Sequence, residues 1–261
     1  WIIKEVWLLG MNKVIEEKHY DQKYSSSIKK WKYDQLFRSA HNEFMSLVHE
    51  TIIEKEFIKI LDLGCGDGHR TIEFLQYNNI AFTGIDISNE GIKKANKNKM
   101  GNSVYMVMDA EKLNFKSNSF DLIINYGSFS SLNMPLVWPQ LLKVLKPEGS
   151  IIGIETIGDN PIFSLKRKIN YWRRLRSPVI INNIIKLKTL NLWASSFKNY
   201  RNKTFGLISI IWAPIIALLP QNKFPEKLIA ISDRLDKYLL GGPTMQTLSF
   251  KSVFEYKSLQ K

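Results

Sequence analysis

The chain has 261 residues, 44% of them hydrophobic, which suits one large globular domain or a domain carrying a sizeable insertion. Its one cysteine, Cys65, excludes an internal disulfide and fits a reducing, cytoplasmic compartment, and its four histidines show no HxxH or HxxxH spacing, so a metal site has no sequence support. The net charge of +13 is uneven: residues 1–150 hold 19 basic against 18 acidic side chains, and residues 151–261 hold 18 against 6, with the break near residue 158.

The opening "WIIKEVWLLG" is apolar, but Lys4 and Glu5 interrupt it and no small-residue cleavage site follows. It reads either as an ordinary helix or as sequence upstream of a start at Met11. Residues 11–55 read as helical, with Leu36, Phe37, Phe44, Leu47, Val48 and Ile52 near one face. Alternation follows: a strand over 57–63, a helix over 69–77, a strand over 80–87, a helix over 89–99, and strands over 103–110 and 119–127. A helix over 134–145 and a fifth strand over 150–157 complete the run. Strands alternating with helices imply parallel βαβ units covered on both faces. Residues 160–240 carry helical periodicity and no convincing strand, and "TLSFKSVFEYKSL" (247–259) closes the chain as a strand or strand pair.

"KILDLGCGDGHRTIEF" sets Gly64, Gly66 and Gly68 between the first strand and the next helix. Glycine weakens both kinds of element, so the cluster serves a turn or a ligand. Gly64 lets the chain turn sharply, Gly66 lets backbone approach a ligand, and Gly68 permits close packing of the helix, whose N-terminal N–H groups would face that ligand. The spacing is G-x-G-x-G, with His69 where the dinucleotide fingerprint has its last glycine. Asp62 precedes the cluster, Asp86 ends the second strand, and Asp109 lies at the end of the third. An acid at the position of Asp86 can accept both ribose hydroxyls.

In order and spacing these motifs resemble class I S-adenosylmethionine-dependent methyltransferases over residues 57–157, with "LDLGCGDG" close to the signature loop. The resemblance implies a Rossmann-like α/β fold, a doubly wound and mostly parallel sheet, with S-adenosylmethionine as cofactor. It assigns the methionine part to Asp62, Gly64, Gly66 and Gly68, with Cys65 lending backbone. Asp86 would hold the ribose with Ile87 against adenine, and Asp109 the adenine amine with Ala110 beside it. Asn125 to Ser128 would face the methyl group. The His-His pair that many small-molecule members carry after the fourth strand is "SFSSLN" here, so a base role for those histidines is absent. The implied organisation is an N-terminal helical cap (1–56), a core (57–159 with 245–261) and a helical insertion or lid (160–244). The segment 158–178 is faintly similar to members from cell-envelope sugar and lipid pathways.

A methyl sulfonium is already activated, so orientation and desolvation carry most of the rate, and a base is needed only for a protonated acceptor. His41 and Tyr126 are the candidates for that base, and Tyr20 and Tyr24 could line the acceptor side. Ordinary packing accounts equally well for the two tyrosines, and better for His41. From Asn160 to Lys203 there are eleven basic residues and no acid, among them Arg173 and Arg174 as substrate candidates. They read as a solvated face or as contact with a phosphorylated substrate, a lipid surface or RNA. "FGLISIIWAPIIALL" (205–219) is shorter than a spanning helix and contains Pro214, so it reads as a core helix or an interfacial segment. A greasy run beside a basic one favours a small-molecule acceptor, anionic or lipid-linked and methylated on oxygen, with peripheral membrane contact through 160–220. An RNA or protein methyltransferase and a non-catalytic cofactor-binding subunit are the alternatives.

Overall fold

The computed structural model describes residues 2–25, 36–161, 164–165, 169, 172, 183–213, 215 and 226–260. Helices α1 (Ile2–Ser25) and α2 (Arg38–Ile53) precede the alternating region. There follow β1 (Ile58–Leu63), β2 (Ile80–Asp86), α3 (Asn89–Lys97), β3 (Ser103–Val107), β4 (Phe120–Tyr126), α4 (Met134–Val144) and β5 (Leu145–Thr156). Then come α5 (Leu187–Ala194), β6 (Phe197–Phe205), α6 (Glu226–Leu239) and β7 (Lys251–Leu259).

The strands form one seven-stranded sheet in the order β3-β2-β1-β4-β5-β7-β6. Strands β1 to β5 run parallel, and β7 is antiparallel to both of its neighbours. Parallel strands need cover on both faces, and the side-chain alternation supplies two cores. Ile58, Ile60, Leu122, Ile124 and Ile152 pack with Phe44, Val48 and Ile52 of α2 and Ile92 of α3. Leu61, Leu63, Ile123, Ile151 and Phe254 pack with Val137, Trp138 and Leu141 of α4 and Leu190 and Trp193 of α5. The register aligns the carboxyl ends: Leu63 is level with Ile85 and Asn125, and Asn125 with Gly153. The residues that leave β1, β2 and β4 therefore meet at one edge.

Two expectations need correction. The helix expected over 69–77 is a single 3-10 turn, Ile72–Gln76. Thr71, at the capping position, donates its hydroxyl to Asp62 at 2.7 Å instead of capping the turn. The loop N–H groups are also taken internally: Gly64 and Cys65 both donate to the Ile85 carbonyl, and Gly68 to that of Cys65. The second correction is β6, which puts residues of the supposed helical insertion into the sheet. Only Phe197 and Thr204 of β6 are buried. An edge strand held by main-chain bonds and by ion pairs, Arg201 to Glu255 at 2.7 Å and Lys203 to Glu43 at 2.5 Å, has no alternating apolar pattern to read. The apolar stretch 205–219 begins as the last residue of β6 and a 3-10 turn, Ser209–Trp212. Its residues 214 and 216–219 lie outside the described ones. No described helix is long and apolar enough to cross a membrane.

Candidate functional site

At the carboxyl edge lies a cavity of about 320 Å³. Gly64, Asp86, Ile87, Asp109 and Ala110 line it from the strand ends, Tyr126 and Ser128 from β4 and its following turn, and Lys13, Tyr20, Lys23 and Tyr24 from α1. Its glycines adopt the backbone that the sequence requires: φ is +73° at Gly64, +55° at Gly66 and +75° at Gly68. A Cβ on Gly64 would stand 2.5 Å from the Ser128 Cβ, and one on Gly66 would collide with the Tyr24 hydroxyl. Both positions are thus closed to other residues by conformation and by space.

Asp86 is nearly buried and accepts the N–H groups of Gly66 at 2.9 Å and Ser88 at 2.8 Å. Burial raises its pKa, against the pull of those N–H groups and of Lys23. Asp109 accepts the Glu111 N–H at 2.9 Å, and Lys13 bridges it to Glu111. Helix α1 is docked over the cavity by its own polar groups. Asp21 accepts the Ser88 hydroxyl at 2.6 Å and the Glu90 N–H at 3.1 Å, at the start of α3 where the helix dipole favours a carboxylate. Tyr20 shares a 2.7 Å hydrogen bond with Ser131, and burial pushes its pKa up to about 12, so the phenol stays protonated. Burial also lowers the pKa of Lys23 against the pull of Asp86 and Asp67, and its amino group lies 5.2 Å from the Tyr20 ring and 5.5 Å from the Tyr24 ring.

Several predicted residues lie behind the wall rather than on it. Asp62 is buried under the loop, where burial raises its pKa to about 7. The Cys65 thiol is buried and points toward the Gly66 carbonyl. Gly66 and Gly68 are covered by Tyr24 and Tyr105. Asn125 is fully buried: it donates to Glu155 at 2.8 Å and accepts the Ser128 N–H at 3.0 Å, so it braces the turn beneath the cavity. His41 does not line the cavity, but its Nδ1 lies 3.1 Å from the hydroxyl of Tyr126, which does. The Arg70 guanidinium covers the Tyr126 ring at 5.0 Å. Arg173 and Arg174 fall outside the described residues.

Lys13, Lys23, Glu111 and Ser131 were not legible as site residues. Only the path of α1, set by the Asp21 contacts, brings the two lysines to the cavity. Among the described residues no cluster of His, Cys, Asp or Glu could hold a metal.

A mostly parallel seven-stranded sheet with an antiparallel β7, a glycine turn after β1 and an acid closing β2 is the Rossmann-like methyltransferase fold. Residues 60–149 match the family model described as a methyltransferase domain. An uncharacterised protein of Methanocaldococcus jannaschii is 37% identical over 142 residues, covering 51% of this chain and 53% of that protein. The human mitochondrial arginine-hydroxylase NDUFAF5 is 32% identical over 130 residues, covering 49% of this chain and 36% of that protein. The chain thus spans about half or less of the length of these two relatives. Phosphoethanolamine N-methyltransferase 2 of Haemonchus contortus, solved with S-adenosyl-L-methionine, superposes with a TM-score of 0.58 at 16% identity, covering 84% of this chain and 53% of that one. The YcgJ protein of Bacillus subtilis gives 0.54 at 19%, covering 85% and 100%. Residues 60–149 thus match a methyltransferase domain, and the fold around them is the one that S-adenosylmethionine-dependent methyltransferases adopt.

Proposed function

We propose that this protein transfers a methyl group from S-adenosylmethionine to an oxygen of a small-molecule acceptor, anionic or lipid-linked. The observation that carries the reading is the cavity itself. Its wall joins the candidate nucleoside-binding set Asp86, Ile87, Asp109 and Ala110 with the hydroxyls and apolar groups of Tyr20, Tyr126, Ser131 and Leu132. The residues fit the cofactor: Asp86 keeps acceptor capacity for ribose hydroxyls beside its two backbone bonds, and Gly64, packed against Ser128, presents bare backbone to the cavity. Lys23 offers a cation to the carboxylate of the methionine part. When bound, the cofactor supplies a methyl group on sulfur already activated for displacement.

The chain's own residues would orient the acceptor and exclude water, which supply most of the rate in such a transfer. Helix α1 forms one wall of the cavity and would shield the acceptor from solvent. For a hydroxyl acceptor, Tyr126 takes the proton and passes its own to His41, 3.1 Å away. Protonated Tyr20 serves as a hydrogen-bond donor that orients the acceptor oxygen. The test is methyl transfer from radiolabelled S-adenosylmethionine to fractionated lipids, soluble metabolites and RNA. Label in the lipid or metabolite fraction supports the reading, and label in RNA alone replaces it with nucleic-acid methylation. The relative named as a hydroxylase makes demethylated cofactor the product to measure, since hydroxylation would leave the methyl donor intact.

A further inference from the structure

Helix α6 packs inward through Ile229, which joins Leu36, Ile210 and Ala213, yet it turns most of its apolar side chains outward. Its inward face carries Ser232 and Asp236, with Asp233 beside them. Asp236 accepts the N–H groups of Gly206 at 3.1 Å and Ile208 at 2.6 Å, and the Ser209 hydroxyl at 3.0 Å. Asp233 accepts the hydroxyls of Ser39 at 2.5 Å and Ser209 at 2.7 Å, and Ser232 accepts the Trp212 indole N–H at 2.9 Å. The outward face is apolar: Leu228 is 45% exposed, Ile231 52%, Leu235 47% and Tyr238 85%. These positions are three or four residues apart and form one stripe. Exposed Lys227, Arg234 and Lys237 lie along one side of it. The helix has turned two of its three acids inward, and the third, Glu226, faces Arg38 at 3.9 Å.

We infer that α6 docks this protein on an anionic lipid bilayer, its apolar stripe lying among the headgroups and its three cations on lipid phosphates. An apolar stripe edged with Lys and Arg is the pattern of a helix lying in that plane, and a tyrosine suits its boundary. A second copy of the chain would bring the same three cations against themselves, so charge favours the bilayer. The placement also serves the cavity. Phe205, which ends β6, and Lys251, which begins β7, both lie level with Thr156 at the carboxyl end of β5. The connection carrying α6 therefore leaves and rejoins the sheet at the edge where the cavity opens. The inference does not rest on the methyl-transfer reading, although a lipid-linked acceptor would gain from it.

The test is flotation with vesicles of phosphatidylcholine alone and of phosphatidylcholine mixed with phosphatidylglycerol, at low and high salt. The chain should float with the mixed vesicles at low salt and much less with the neutral ones. Ile231→Glu combined with Leu235→Glu should lower the bound fraction at least about tenfold, since each of these side chains loses its burial. Neutralising Lys227, Arg234 and Lys237 together should lower it by about a hundredfold, at about fivefold per cation. Titration with S-adenosylhomocysteine in the same variants should be unchanged, which separates this result from any failure at the cavity. Equal flotation of wild type and variants, binding to neither vesicle, or a dimer in light scattering that the Ile231 and Leu235 substitutions dissolve would overturn the inference.

Discussion

Asp86 does two things at once, and replacing it with asparagine separates them. Its carboxylate holds the Gly66 and Ser88 N–H groups while it lines the cavity. Asn keeps one acceptor oxygen and turns the other into a donor, so one buried N–H faces an amide NH2. A buried donor left unsatisfied costs about 1–3 kcal/mol, and at about 2–4 °C per kcal/mol for a chain of this size the melting midpoint should fall by several degrees. On the ligand side, a hydrogen bond from a ribose hydroxyl to a charged acceptor is worth about 1.5–3 kcal/mol, so the cofactor dissociation constant should rise about 10- to 150-fold. Burial raises the pKa of Asp86. The wild type should therefore lose affinity on acidification at a higher pH than an ordinary carboxylate would cause, and the Asn variant should lack that limb. Calorimetric titration with S-adenosylhomocysteine across pH, beside thermal unfolding, reads all three effects. A folded variant with unchanged affinity would remove Asp86 from the site.

Four further outcomes follow from named contacts. Gly64→Ala combines a left-handed backbone with a Cβ 2.5 Å from that of Ser128, and should lower unfolding free energy by at least about 2 kcal/mol in urea titration; Ser128→Gly added to it should recover only the contact part. Asp62 has its folded-state pKa raised to about 7 from an ordinary value near 3.8, so its stabilising effect is full below that ordinary value and is lost as pH rises through about 7. Asp62→Asn cannot titrate, so the unfolding free energy of the variant relative to wild type should climb over that window; a flat difference would contradict the assignment. Tyr126→Phe should lower kcat on a hydroxyl acceptor by about 10²- to 10⁴-fold with cofactor affinity unchanged, read by initial rates and titration. Asp236→Ala orphans the Gly206 and Ile208 N–H groups at about 1–3 kcal/mol each, and hydrogen exchange at those two amides should quicken.

What the sequence made legible follows from where periodicity and backbone conformation are strict. Strands β1, β2, β4 and β5 are largely buried on both faces, so apolar runs mark them, and the three positive-φ positions that follow β1 favour glycine. Asp86 and Asp109 could be found because strand ends are positions that topology counts. Edge strand β6 escaped notice because main-chain pairing and ion pairs, not an apolar face, hold it. The turn after the glycines is shorter than the helix expected over 69–77, and Thr71 before it spends its hydroxyl on Asp62 rather than on capping. Asn125 lies near the end of β4, where the sequence points to the site, but its amide is taken by Glu155 below the floor. Lys13 and Lys23 could not be found at all, since a long-range contact from Asp21 to the start of α3 decides which face of α1 meets the cavity.

The central claim is that the carboxyl edge of β1, β2 and β4 holds S-adenosylmethionine. Its most direct test is a calorimetric titration of the purified chain with S-adenosylhomocysteine and, separately, with a nicotinamide dinucleotide. The account predicts saturable one-site binding of the first, lost on replacing Asp86, and none of the second; binding of the dinucleotide, or of neither ligand by a folded chain, would contradict it.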